Sequence, residues 1–212
     1  YSSYKEVENK GYIVVHDKKY EYISTTGKKL IEYKKGTKLT AVENMIVAKN
    51  DKNKYVIYDL EGKELYKDSK KVKIYMYDLP VIYQNKKYSV LNGQGEVVTT
   101  SKQQITYAGI YNQSFITVAY KNKTVLFDTS SSSQIDENGL AIKLKGQYDV
   151  IANDYKKGFV LYDQKQKNLA YVNLKGKVKF KKDIEVETAE FDGSSLILKD
   201  KDDVRLLSLD GS

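Results

Sequence analysis

Leu91-Asn92-Gly93-Gln94-Gly95 is the stretch from which the fold is read. An apolar residue ends a strand, an amide oxygen follows, two variable residues intervene, and a glycine closes the phrase. Asn, Asp or Ser at the first place of a turn hydrogen-bonds the backbone two residues on. Glycine at the fourth place accepts a left-handed backbone and closes a type I turn with a bulge. The phrase therefore reads as a strand end and a tight reversal. It recurs as Ile23-Ser24-Thr25-Thr26-Gly27, Tyr58-Asp59-Leu60-Glu61-Gly62, Val172-Asn173-Leu174-Lys175-Gly176 and Leu207-Ser208-Leu209-Asp210-Gly211. Phe127-Asp128-Thr129-Ser130-Ser131 reads as a degenerate sixth copy with Ser in the glycine place. The closing positions 27, 62, 95, 131, 176 and 211 are 35, 33, 36, 45 and 35 residues apart.

Ahead of each phrase lies a constant pair of strands. Tyr12-Ile13-Val14-Val15, Met45-Ile46-Val47-Ala48, Val81-Ile82-Tyr83, Phe115-Ile116-Thr117-Val118, Phe159-Val160-Leu161-Tyr162 and Leu196-Ile197-Leu198 are near-continuous apolar runs. Such runs fit strands covered on both faces. Turns beginning at Asp17, Asn50, Gln84, Lys121, Asp163 and Asp200 lead into the phrase-bearing strand. Weaker strands follow, such as Glu64-Leu65-Tyr66 and then Val72 to Tyr77. With 20 Tyr and one Pro, at Pro80, among 212 residues, the composition favours strands throughout.

Each repeat of about 35 residues holds about four short strands, and repeated four-stranded units are the blades of a β-propeller. The expectation is one all-β domain over residues 1–212, a propeller of about six small four-stranded blades. A linear array of β-hairpin repeats is the alternative arrangement. Tyr4-Lys5-Glu6-Val7 is expected to complete the last blade and close the ring. The stretch from Ser130 to Gly139 breaks the rhythm and reads as an inserted loop.

Lys87-Tyr88-Ser89-Val90-Leu91-Asn92-Gly93-Gln94-Gly95-Glu96-Val97-Val98 resembles the WG (KWG-type) repeats of bacterial proteins, and residues 55–65 and 169–178 match the same outline. The Trp-Gly pair that names those repeats is absent. More broadly the chain resembles degenerate propeller-like domains on the surface proteins of Lys/Tyr/Asn-rich Gram-positive bacteria. The resemblance implies a binding or scaffolding module and carries over no catalytic residue.

The residue inventory narrows the chemistry. There is no Cys and a single His, so thiol nucleophiles and thiolate metal sites are excluded. His16 stands beside Asp17, but no Gly-x-Ser-x-Gly elbow accompanies the pair. Asp200-Lys201-Asp202-Asp203 lacks the spaced ligands, glycine and terminal Glu of a calcium loop and reads as a solvated hairpin tip. No enzyme activity, cofactor or metal is expected. No apolar run approaches 18 residues, so membrane attachment is expected only through an anchor upstream of residue 1.

Two surfaces are candidates for binding. The first is a set of basic hairpin tips: Lys18, Lys19, Lys52, Lys54, Lys86, Lys87, Lys121, Lys123, Lys165 and Lys167, in a chain of formal net charge +8. In a propeller these equivalent turns share one face, where their charge would gather to hold an anionic polymer. The same lysines also keep sheets soluble and discourage edge pairing. The second is an aromatic surface of Tyr75, Tyr77, Tyr107 and Tyr111, rings suited to recognition. The expected function is a non-catalytic protein-interaction or scaffold module of an extracytoplasmic, cell-surface or membrane-anchored protein. Its partner would be a protein of the cell envelope; an anionic cell-wall glycopolymer is the alternative ligand, and no nucleic acid is expected.

Overall fold

A computed structural model of the chain describes residues 3–7, 9–33, 36–110, 114–130, 135–201 and 203–211. These residues form two compact units, Tyr1–Lys102 and Gln103–Ser212, each built from three antiparallel sheets. Within every sheet the strands run in sequence order, each paired with the next. These up-and-down meanders are the blades of a β-propeller.

In the first unit, β1 (Ser3–Val7), β2 (Gly11–His16), β3 (Lys19–Ser24) and β4 (Lys29–Tyr33) form the first sheet. The second holds β5 (Thr37–Val42), β6 (Met45–Asn50), β7 (Tyr55–Asp59) and β8 (Glu64–Lys67). The third holds β9 (Val72–Met76), β10 (Pro80–Gln84), β11 (Lys87–Leu91) and β12 (Val97–Ser101). In the second unit, β13 (Ile105–Ile110), β14 (Phe115–Tyr120), β15 (Thr124–Asp128) and β16 (Leu140–Ile142) form the fourth sheet. The fifth holds β17 (Asp149–Asp154), β18 (Gly158–Asp163), β19 (Asn168–Asn173) and β20 (Val178–Asp183). The sixth has three strands, β21 (Thr188–Asp192), β22 (Ser195–Asp200) and β23 (Asp203–Ser208). The six blades expected from the phrase are present; among the described residues the last of them has three strands.

The recurring phrase does what its chemistry requires. The Asn92 side-chain oxygen accepts the backbone N–H groups of Gln94 and Glu96 at 3.0 and 2.9 Å, and the N–H of Gly95 donates to the Asn92 carbonyl at 3.1 Å. Asn173 accepts from Lys175 and Lys177 at 3.1 and 3.0 Å, and Asp59 from Glu61 and Lys63 at 3.1 and 2.8 Å. Gly95 has φ of +82°, and a register shift between Val90 and Leu91 marks the accompanying bulge. The weak strands divide between neighbours: β8 closes the sheet of its own phrase, while β9 opens the next.

Two expectations are corrected. Tyr4-Lys5-Glu6-Val7 does not complete the last blade; as β1 it pairs with β2, from Ser3 opposite Val15 to Val7 opposite Gly11. Closing a short hairpin costs far less chain entropy than a contact across the whole sequence. Val7 also joins Ile13, Tyr22 and Ile31 in a buried cluster. In the fourth sheet, Asp128 makes the expected local bond to the Ser130 N–H at 2.9 Å, but the closing turn comes later. It is Ile135-Asp136-Glu137-Asn138-Gly139: Asp136 accepts from Asn138 at 2.8 Å, and Gly139 has φ of +74°. This stretch is itself a copy of the phrase, placed just before β16. Ser131 to Gln134 of the inserted loop lie outside the described residues.

One rule organises the cores inside each unit. A sheet turns one face, here called its forward face, onto the rear face of the sheet that follows. Ile13, Tyr22 and Ile31 of the first sheet pack with Leu39, Ile46 and Ala48 of the second. Val47 and Ile57 pack with Ile74, Ile82 and Leu91 of the third. In the second unit, Leu126 and Ile142 pack with Phe159, Leu161 and Val172, and Val160, Tyr162 and Leu169 pack with Leu196, Leu198 and Leu207.

Candidate interaction surfaces

The strongest candidate follows from that rule. Counting back two residues from the turn residue gives one forward-face position in five of the six sheets: Tyr22, Ile57, Val90, Tyr171 and Leu206. The first four are 0, 0, 0 and 5% exposed, whereas Leu206 is 70% exposed. Val204, two residues earlier on the same face, is 66% exposed; its counterpart Leu169 in the fifth sheet is fully buried. Ile197 lies directly opposite Leu206 and is half-buried, and Lys199 lies opposite Val204. Lys199 Nζ reaches Glu190 Oε1 at 3.7 Å. The last strand, β23, pairs only with β22, so among the described residues its outer edge has no strand beside it. Even so, the turn after it has closed, with the Gly211 N–H 2.9 Å from the Ser208 carbonyl. The phrase Leu207 to Gly211 marks this place in the sequence, but nothing local reveals that the face ahead of it is uncovered.

The expected basic tips are tips. Lys18, Lys19, Lys52, Lys54, Lys86, Lys87, Lys121, Lys165 and Lys167 are exposed, while Lys123 is half-buried with its ammonium 5.2 Å from the Tyr120 ring centroid. Lys167 Nζ lies 2.7 Å from Glu185 Oε1, and that hydrogen bond raises the lysine and lowers the glutamate from their ordinary values. Lys18, Lys86, Lys167 and Lys201 have φ of 62°, 61°, 52° and 31°, backbone that Gly or Asn adopts with less strain. Asp163, where one of these turns begins, is buried. Its carboxylate accepts the N–H groups of Lys165, Gln166 and Gln147, each at 3.0 Å.

Two tip grooves in the first unit repeat one arrangement 33 residues apart. Tyr33, Thr37, Asn50, Lys54, Lys67 and Asp68 line a cavity of about 260 Å3. Tyr66, Gln84, Asn85, Lys87, Ser89 and Thr100 line one of about 240 Å3. Beside the first groove the Tyr33 and Tyr58 hydroxyls are 2.5 Å apart, and burial, then that hydrogen bond, hold Tyr58 well above the usual phenol range.

The aromatic candidates differ in their surroundings. Tyr75 and Tyr77 are half-buried, and the Tyr75 and Tyr83 rings lie 6.2 and 4.6 Å from that of Tyr88. Tyr107 is a correction. It is buried, and its hydroxyl donates to Asp149 Oδ2 at 2.8 Å, because a bulge between Ile105 and Tyr107 re-aims β13. Tyr111 lies outside the described residues. His16 sits at an exposed tip with Nε2 3.2 Å from Asp17 Oδ2. Among the described residues, no three His, Asp or Glu side chains gather as a metal site would require.

No family model and no curated protein matches the chain. Solved structures similar to it include Hsv2 of Kluyveromyces lactis, at 12% identity over 95% of this chain and 71% of that one, with a TM-score of 0.38. The WD40 domain of Neurospora crassa Pan2 is 11% identical over 92% of this chain and 70% of that one, TM-score 0.38. A protein of unknown function from Bacteroides caccae is 13% identical over 92% and 87%, TM-score 0.35. Such likenesses say nothing of a ligand, which has to be read from the chain's own residues.

Proposed function

We propose that the chain is a non-catalytic protein-interaction module of an extracytoplasmic or membrane-anchored bacterial protein, with its partner in the cell envelope. The carrying observation is the sixth sheet, where Leu206 stands uncovered at a position that four other sheets bury, and Val204 at one that the fifth sheet buries. Uncovered apolar side chains are what a polypeptide partner covers. The test is retention of envelope proteins on the immobilised module and on its Leu206→Lys form. A partner held by the first and released by the second is expected; if the unsubstituted module retains nothing specific, the proposal fails.

The tip lysines favour a second reading, a binder of anionic cell-wall glycopolymer. At Lys18, Lys86, Lys167 and Lys201 a lysine occupies left-handed backbone where glycine would relax the turn. Strain of this kind is kept where the side chain has a use. Co-sedimentation with isolated Gram-positive cell walls across a salt series would then show binding that fades with salt and vanishes on walls stripped of teichoic acid. Absence of binding at every salt concentration would end this second reading.

A further inference from the structure

We propose that Tyr33 and Tyr58 are a site of oxidative cross-linking, where a one-electron oxidant joins the two phenols into a dityrosine that staples the first sheet to the second. The inference stands apart from the interaction readings above. Tyr33 is the last residue of β4, the outer strand of the first sheet, and Tyr58 lies on β7, a central strand of the second. Both rings pack on the core that those two sheets share. Their hydroxyls are hydrogen-bonded at 2.5 Å, with ring centroids 6.4 Å apart and ring planes at 63°. Phenols couple at the ring carbons beside the hydroxyl, so the two hydroxyls of the product flank the new bond. A pair held hydroxyl to hydroxyl starts with the reacting ends of both rings together.

The oxidant is hydrogen peroxide acting through a haem peroxidase. Each phenol gives up one electron and one proton. The two radicals join through one ring carbon each, and the hydrogens on those carbons pass to the oxygens, which restores both phenols. In sum two C–H bonds break and one C–C bond forms, while the peroxide takes two electrons and two protons and becomes two waters. Both rings are half-buried, and Tyr33 lines the first tip groove, of about 260 Å3, where solvent reaches the pair. The two residues are 25 apart in sequence, so the link closes a loop and restricts the unfolded chain. A chain without Cys has no disulfide to do this. Tyr83 and Tyr88 have closer rings, 4.6 Å between centroids, but they stand directly opposite each other in β10 and β11. Among the described residues no hydrogen bond joins their hydroxyls, and a link there would tie strands that the sheet already pairs.

The test treats the purified protein with hydrogen peroxide and a haem peroxidase, then digests the monomer and maps its links by mass spectrometry. The intact monomer should lose two hydrogens. The fragment pair joining residue 33 to residue 58 should be at least tenfold more abundant than any other intramolecular link. Tyr33→Phe and Tyr58→Phe keep the ring packing, and each should reduce that product at least tenfold. The linked protein should melt several degrees higher than the untreated one, and Tyr33→Phe treated in the same way should not. Links spread evenly over other tyrosine pairs, a principal link between Tyr83 and Tyr88, or coupling only between molecules overturns the proposal. So does the absence of any link under conditions in which free tyrosine couples. A link that forms without raising the melting temperature removes the staple and overturns it as well.

Discussion

Leu206 occupies in the sixth sheet the place that Tyr171 occupies in the fifth, 35 residues earlier, yet one is 70% and the other 5% exposed. Each lies two residues before its turn residue, and each faces the central strand of its sheet, Ile197 for Leu206 and Val160 for Tyr171. Tyr171 gains ring contacts with Phe180 and Phe191 and donates to the Lys157 carbonyl at 2.9 Å. Among the described residues no fourth strand pairs with β23, and Leu206 stays exposed. Tyr171→Ala should therefore cost about 3–5 kcal/mol, and Leu206→Ala should stay within about 0.5 kcal/mol. Urea denaturation of the two variants checks this; a large loss at Leu206 would mean that the face is covered in solution.

Asp149 gathers two hydroxyls inside the second unit. Its Oδ2 accepts from Tyr107 at 2.8 Å and its Oδ1 from Thr117 at 3.0 Å, and both donors are buried. Asp149→Ala leaves two hydroxyls without that acceptor and should cost about 3 kcal/mol, at about 1–3 kcal/mol for each unsatisfied group. Asp149→Asn keeps one carbonyl acceptor and should lose roughly half as much. Equal losses in denaturant titrations would place the effect in packing rather than in the hydrogen bonds.

Lys86 sits with φ of 61° in the two-residue turn it shares with Asn85. Lys86→Gly creates the Asn-Gly pair that such a turn prefers and should stabilise the protein by about 1 kcal/mol. A melting temperature that stays the same or falls would show that the lysine side chain contributes contacts of its own.

Gly176 and Gly27 have similar backbones, with φ of +76° and +83°. A Cβ on Gly176 would lie 2.6 Å from the Ala141 carbonyl oxygen of the preceding sheet, while one on Gly27 meets nothing within 4 Å. Gly27→Ala should cost about 1 kcal/mol from backbone strain alone, and Gly176→Ala about 3 kcal/mol once the steric clash is added. Similar values for both would show that the fourth and fifth sheets yield easily at this contact.

Alkaline pH should unfold the protein. The Tyr148 hydroxyl is pushed up to about 12, by burial first and then by Asp163 and Asp183, and it donates to Asn168 at 2.5 Å. Burial also raises Tyr22, Tyr58, Tyr77 and Tyr171. An unfolded tyrosine ionises near pH 10, so between about 10 and 12 the folded state holds an extra proton on Tyr148. The stability that Tyr148 contributes is complete below about pH 10 and drains away as pH climbs through about 12, and the other raised tyrosines act in the same direction. Denaturant titrations at pH 8 and 11 should show the loss, with a smaller fall in Tyr148→Phe. An identical fall in that variant would remove Tyr148 from the account.

What the sequence by itself determined is local. Asn92, Asp59 and Asn173, each followed three residues later by glycine, specify their turns through hydrogen bonds within five residues of chain. The apolar runs before them mark one central strand of each sheet, the phrase marks the next, and the number of runs marks the six sheets. The exposure of Lys52, Lys54, Lys86 and Lys87 follows from the other set of turns, those that join the two central strands of a sheet. Ile135 to Gly139 carried the phrase too, and was legible without the structure. Only the tertiary structure decided what depends on neighbours: that β1 folds back on β2, that Asp163 turns inward to bond three N–H groups, and that Tyr107 meets Asp149. It also decided that Leu206 and Tyr171, alike in register, differ in cover. A turn is satisfied by its own backbone, whereas burial of a sheet face depends on whether another sheet lies against it.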